Sequence, residues 1–192
     1  DHQRKPRAPH PHVVLAVIRA QRLRVEFPAV IALGSNLGDR EATLRAAVAD
    51  IAAIDGVVLL RASSLYETPA LKPEGIDTDA PAYLNAVVAV RSALDPHALL
   101  AALHGIENAH GRVRDVRWGD RTLDLDLVSF GGQSMDSADL TLPHPRAHER
   151  AFVLAPWLEV EPAATVPGRG SVRALLDATG ESASVYPAES LL

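Results

Sequence analysis

Cysteine is absent from the 192 residues, and with it go disulfide frameworks, thiolate metal sites, cysteine nucleophiles and dithiol redox couples. Any metal must be held by oxygen or imidazole. Long apolar runs are missing too: Val13 to Ile18 is six residues, against about 20 for a membrane span and about 7 to 15 for a signal peptide's apolar stretch. This predicts a protein that neither spans nor enters a membrane and works in the cytoplasm. A surplus of positive charge is lacking, because 19 basic residues against 24 acidic ones leave a net charge of −5. That argues against nucleic-acid binding, whose footprint is a basic face. Lysine is scarce: only Lys5 and Lys72 stand beside 17 arginines, and Arg112, Arg114, Arg117 and Arg121 crowd into ten positions. Such a cluster points to a local anion site.

What is present is ordinary for a globular chain, with 47% apolar residues, 22% charged, 12 Gly and 14 Pro. Residues 1–28 are basic and lack a clear period before Val13, so they read as an extension. The main domain is expected over 29–179, and 180–192 as a loose tail. Ala29 to Leu33 reads as a buried strand ending in Gly34-Ser-Asn-Leu-Gly-Asp39, a strand-to-helix turn. Leu44, Ala47, Val48 and Ile51 then follow the i, i+3, i+4, i+7 rule of an amphipathic helix that stops near Gly56. Val57 to Tyr66 reads as one strand, and Glu67 to Pro81 as irregular because of its prolines and glycine. Tyr83 to Arg91 is the next strand.

Asp95-Pro96 pairs an N-cap acid with a proline at the first helical position and opens a helix that runs to about His110. Leu123 to Phe130 alternates as Leu-Asp-Leu-Asp-Leu and turns at Gly131-Gly132, as the last core strand. A further helix is expected over Ala147 to Leu158. The order β-α-β-β-α-β predicts an α+β fold of the ferredoxin-like, split βαβ kind: an antiparallel sheet flanked by helices, with two of them on one face.

Asp124 and Asp126 stand two apart on a strand, so their carboxylates share a face with stems about 6.5 to 7 Å apart. Oxygen ligands that leave room for water and phosphate suit magnesium. The same spacing fits the solvated face of an amphipathic strand. Asp is depleted in strands, however, and like charges side by side repel unless something positive joins them. The arginines just upstream add guanidinium forks that bind phosphate bidentately. Together the two features describe a phosphate-and-metal site. His144 lies between Pro143 and Pro145, which fix its backbone for a structural role or for a hydrogen bond to phosphate. Tyr83, Trp118 and Phe152 are either core or the walls of a site for a flat heteroaromatic ligand. The glycine turn lacks the ending of a P-loop, and no Ser-His-Asp order or nucleophile elbow is present.

These segments resemble a known family. Ala32-Leu-Gly-Ser-Asn-Leu-Gly-Asp39, Ser63-Ser-Leu-Tyr-Glu-Thr-Pro69, Tyr83-Leu-Asn-Ala86, Gly111-Arg-Val-Arg114, Arg117-Trp-Gly119, Arg121-Thr-Leu-Asp-Leu-Asp126, Leu142-Pro-His-Pro-Arg146 and Glu149-Arg-Ala-Phe152 are similar, in order and spacing, to 6-hydroxymethyl-7,8-dihydropterin pyrophosphokinase of folate biosynthesis. The resemblance implies transfer of pyrophosphate from ATP to the pterin hydroxymethyl group, with two magnesium ions held by Asp124 and Asp126. It implies that Arg112, Arg121 and Asp126 are catalytic. Glu107, Arg114, Arg121, Leu127, Thr141, His144 and Arg150 would bind ATP. Thr68, Pro69, Tyr83, Asn85, Trp118, Asp124 and Phe152 would bind the pterin.

Two departures stand out: Asp120 occupies a position where relatives usually carry proline, and 70–81 is longer and more acidic than usual. Lys5-Pro-Arg-Ala-Pro9 and the Val-rich stretch to Arg19 resemble the closing segment of dihydroneopterin aldolase, which implies fusion to, or association with, that enzyme. Two other classes compete with a transferase. A ligand-sensing domain uses the same fold but needs no metal-ligand pair, and a metal-dependent phosphoester hydrolase uses the same acids on water.

Overall fold

The structure is a computed structural model that describes residues 25–72, 75–111 and 122–192. Arg112, Arg114, Arg117, Trp118, Asp120 and Arg121, and the aldolase-like stretch within residues 1–24, therefore lie outside the described residues.

Strand β1 (Phe27–Ser35) sits at the centre of the sheet, between β6 (Tyr83–Ser92) and β7 (Asp124–Phe130), and is antiparallel to both. Seven successive residues of β1 are buried, as a continuous apolar run requires when both faces of a sheet are covered. On one face lie α1 (Arg40–Ala52) and α2 (Pro96–Ala109), packed on Ile31, Leu33, Leu125 and Leu127. On the other lie α3 (Ala151–Val160) and α4 (Val172–Thr179), where Leu154, Trp157 and Val172 pack on Val30, Ala32, Val87 and Val128. The antiparallel α+β plan matches the sequence reading. The second helical layer, and α4 itself, do not appear in it.

Both long helices start where their caps stand. The Asp39 carboxylate accepts the Ala42 N–H at 3.0 Å, and the Asp95 carboxylate accepts the Ala98 N–H at 2.9 Å with Pro96 next in line. These bonds satisfy donors that a helix leaves open in its first turn.

Four expectations need correction. The strand expected over Val57 to Tyr66 is broken: β2 (Val57–Ala62) pairs with the Val88–Ser92 half of β6, and β3 (Tyr66–Thr68) with Tyr83 to Asn85. Buried Ser63 bridges the break, its N–H donating to the Val87 carbonyl and its hydroxyl accepting the Val87 N–H, both at 2.9 Å. The proline-bearing stretch after it is not irregular, since β4 (Ala70–Lys72) and β5 (Gly75–Asp77) form a hairpin. The helix expected from Ala147 begins as a 3-10 turn over Ala147–Glu149. Its run is interrupted at Arg150, whose backbone is extended.

The tail is the fourth. Strand β12 (Ser184–Val185) pairs with β3, and the Tyr186 N–H donates to the Leu65 carbonyl at 2.8 Å. The Arg45 guanidinium clasps the carbonyls of Glu189 and Ser190 at 2.8 and 2.7 Å. Four short strands complete the chain: β8 (Met135–Asp136) with β9 (Thr141–Leu142), and β10 (Thr165–Val166) with β11 (Gly170–Ser171).

A bulge interrupts the β1–β7 ladder. Ile31 faces Leu127 and Val30 faces Ser129, so Val128 is the extra residue. No helix among the described residues is long and apolar enough to cross a membrane.

Candidate active site

Ala32 belongs to the core under α3, and Asp126 pairs with it across the ladder, so Asp126 and its neighbour two residues back, Asp124, face the α3 side. Asp124 pairs with Gly34, Gly34 pairs with Asn85, and Asn85 pairs with Tyr66. One row thus crosses β7, β1, β6 and β3 near one end of the sheet. Gly34 is its lowest point: a Cβ built there would lie 3.3 Å from Asn85 Oδ1 and 3.9 Å from Tyr83 Cδ1. Asn85 is buried and donates from Nδ2 to Thr68 Oγ1 at 2.9 Å, while Thr68 pairs with Tyr83. Three residues expected at the pterin therefore form one bonded patch beside the carboxylates.

The chain between β9 and α3 lies over the Asp pair. The His144 N–H donates to the Val128 carbonyl at 2.9 Å. Its ring Nδ1 accepts the Arg146 N–H at 3.2 Å, which leaves the proton of the neutral imidazole on Nε2, 3.9 Å from Asp126 Oδ2. Burial pushes the His144 pKa down to about 4; Arg150 and Arg146 add to the effect and Asp124 opposes it. The ring is neutral near pH 7 and keeps one N–H to donate. Burial also lowers the pKa of Arg150, against the pull of Asp126 and Asp124. Its guanidinium lies 5.6 Å above the Phe152 ring, within cation–π range. Thr141, half-buried on β9, completes the side chains on this stretch.

Two expected contacts stand apart. Leu127 turns its side chain into the core under α1 and α2. Glu107 is 0% exposed, and its Oε1 accepts the Leu125 N–H at 2.8 Å. It holds edge strand β7 in place and has no surface open to a nucleotide in this structure. Replacing it with leucine strips a buried backbone donor of its acceptor, which costs about 2 kcal/mol. Urea unfolding of Glu107→Leu checks this as a lower midpoint with an unchanged slope.

Residues that the sequence reading did not single out tie the walls together. Glu159 on α3 accepts from the Ser64 N–H and hydroxyl at 2.9 and 2.8 Å with Oε1, and from the Tyr66 hydroxyl at 2.9 Å with Oε2. Burial and that carboxylate push the Tyr66 pKa up to about 12. The helix that carries Phe152 is thereby joined to the strand that carries Thr68.

Among the described residues no cluster of three or more His, Asp and Glu side chains is ready to enclose a metal. Two carboxylates on one face suit a cation that keeps waters and takes further oxygens from phosphate, as magnesium does. The donor set fits that ion.

Known proteins resemble this chain in sequence and in fold. The chain is 46% identical to 2-amino-4-hydroxy-6-hydroxymethyldihydropteridine pyrophosphokinase of Bacillus subtilis over 132 residues, covering 69% of this chain and 77% of that protein. It is 43% identical to the protein of the same name from Methylorubrum extorquens over 154 residues, covering 79% and 95%. The folate synthesis bifunctional protein of Pisum sativum is 43% identical over 131 residues, which cover 68% of this chain but 24% of that protein. In structure, the chain is similar to a Plasmodium falciparum HPPK-DHPS mutant with a TM-score of 0.63 at 16% identity, covering 80% of this chain and 44% of that one. It thus spans less than half of the solved chain, and that likeness speaks for the fold. Residues 30–162, which hold the Asp124–Gly34–Asn85 row and the chain that carries His144 and Arg150, match one family throughout, and the chain belongs to the 7,8-dihydro-6-hydroxymethylpterin-pyrophosphokinase (HPPK) family.

Proposed function

We propose that this chain transfers the pyrophosphoryl group of ATP to the hydroxymethyl oxygen of 6-hydroxymethyl-7,8-dihydropterin, giving AMP and the pterin diphosphate. The observation that carries the reading is the row itself. A carboxylate pair and a hydrogen-bonding patch for a flat ring share one sheet face, separated by a residue without a side chain.

In the reaction the hydroxymethyl oxygen bonds to the β-phosphorus, the bond from that phosphorus to the bridging oxygen of AMP breaks, and the hydroxyl proton passes to solvent. Asp124 and Asp126 would hold magnesium, two ions in the family's pattern, which when bound neutralises charge on the triphosphate. His144 donates its Nε2 proton to a phosphate oxygen, and Arg150 contributes a fixed positive charge beside it. Thr141 and the main chain at Leu127 complete the nucleotide side. Asn85 and Thr68 hydrogen-bond the edge of the pterin, next to Pro69. Tyr83 and Phe152 frame its ring. Arg112, Arg114, Trp118 and Arg121 take the roles that the family resemblance gives them, and holding the hydroxyl near the β-phosphorus is the chief service of the protein.

The pyrophosphokinase unit is 29–179 and works in the cytoplasm. Fusion to, or association with, dihydroneopterin aldolase through 1–28 belongs to the same proposal; among the similar proteins, the pea protein is named bifunctional and the solved Plasmodium chain is an HPPK-DHPS.

The experiment is AMP release from ATP and magnesium with and without the pterin. AMP that forms only with pterin supports transfer. AMP formed equally without it favours a hydrolase, and ATP left intact by folded protein with pterin present favours a ligand sensor.

A further inference from the structure

Arg40 is the first residue of α1, where a cation opposes the helix dipole and an acid is preferred. A residue that breaks a local rule is held there by something else. Its Nη1 donates to the Ala82 carbonyl at 2.7 Å and reaches Glu67 Oε2 at 2.9 Å, and its guanidinium lies 5.8 Å from the centre of the Tyr186 ring. The side chain of Arg40 is 22% exposed and that of Glu67 41%, so water screens the ion pair in part and the bond to the Ala82 carbonyl works beside it.

The sequence neighbours of those partners matter most. Ala82 directly precedes Tyr83 and Glu67 directly precedes Thr68, and Tyr83 and Thr68 face each other across the β3–β6 ladder. Because side chains alternate along a strand, Glu67 points to the side opposite Tyr66 and Thr68. Arg40 therefore grips the back of the patch whose front carries Thr68, Tyr83 and Asn85. Strand β3 is three residues long and lies between β6 and the two-residue β12, so few ladder bonds hold it. Tyr186 follows β12 directly, which brings the third strand of the group under the same guanidinium.

We propose that Arg40 is a positioning residue for the pterin: it never touches the ring, and it sets the spacing of Thr68 and Tyr83 by tying the chain just before each to α1 and to Tyr186. This rests on the assignment of Thr68, Tyr83 and Asn85 to the pterin, so the test includes a variant of that patch. Steady-state constants for both substrates are measured for Arg40→Met, Arg40→Lys, Glu67→Gln and Asn85→Ala, with the melting temperature of each.

Arg40→Met is expected to raise the pterin KM about tenfold while the ATP KM stays within about twofold, since small misplacements at a distance from the chemistry are costly. Arg40→Lys lacks the planar fork and falls between it and the parent. Glu67→Gln shifts the pterin KM in the same direction by about threefold, and answers the question should Arg40→Met not fold. If Arg40→Met and Glu67→Gln lower the melting temperature and leave both KM values unchanged, or move both equally, Arg40 is only structural and the proposal falls. If Asn85→Ala also leaves the pterin KM unchanged, the patch has been misassigned and both readings fall together.

Discussion

Replacing Asp126 with alanine cuts pterin-dependent AMP formation by about a thousandfold or more, the scale on which losing a metal ligand or its charge stabilisation acts. The protein stays folded. The side chain is 36% exposed and outside both cores, so little apolar contact is lost, and removing one of two like charges on one strand face relieves repulsion. Arg150 loses one acidic neighbour and keeps Asp124. On the proposed reading, Thr141, His144 and Arg150 remain to hold the nucleotide. The variant should therefore still bind ATP by equilibrium titration while quenched-flow assays find almost no AMP. Activity within tenfold of the parent would mean that the carboxylate pair does not hold the reaction's metal.

The second large effect is expected at a residue with no chemistry of its own. Gly34→Val should raise the pterin KM about a hundredfold and leave the ATP KM within about threefold, because it fills the floor of the row where the proposed function puts the pterin and not the nucleotide. The β-carbon alone would sit 3.3 Å from Asn85 Oδ1, and the two methyl groups of valine reach further over the patch. Valine is a good strand former, but it crowds the buried Asn85, so the loss comes with a melting temperature a few degrees below the parent's while the protein stays folded. Gly34→Ala should fall between the two. Pterin binding measured by its own fluorescence checks both, and unchanged binding in the valine variant would remove the row from the pterin site.

How far the site could be read from the residues follows from which signals are local. Asp95-Pro96 and Asp39 name the starts of their helices because caps and first turns are written within four residues. The Leu-Asp-Leu-Asp alternation of β7 reveals its carboxylate face for the same reason. Gly34 looked like part of a turn because its significance lies in strands about 50 and 90 residues downstream, and ladder register leaves no mark on one strand alone. Glu107 was expected at the nucleotide, yet its carboxylate serves a backbone donor that no pattern announces. The strap after Gly180 is polar and short, so its pairing with β3 was invisible without β3 beside it. The covered second face was legible in principle: β1 reads Ala-Val-Ile-Ala-Leu without a polar break, which a sheet open on one side does not tolerate.

The bulge in β7 sets a rule for how this strand can change length. Leu125, Leu127 and Phe130 all enter the core under α1 and α2, although the last step is three residues instead of two, and Val128 absorbs the difference. An insertion or loss of one residue elsewhere between Asp124 and Phe130 would turn either the carboxylates or Phe130 to the wrong side. Removing Val128 itself is the exception, because regular alternation from Leu127 to Phe130 would then bring Phe130 to Ala29 on its present face. That deletion would instead withdraw the carbonyl that receives the His144 N–H. A relative whose strand is one residue shorter at this point must anchor its histidine by other means.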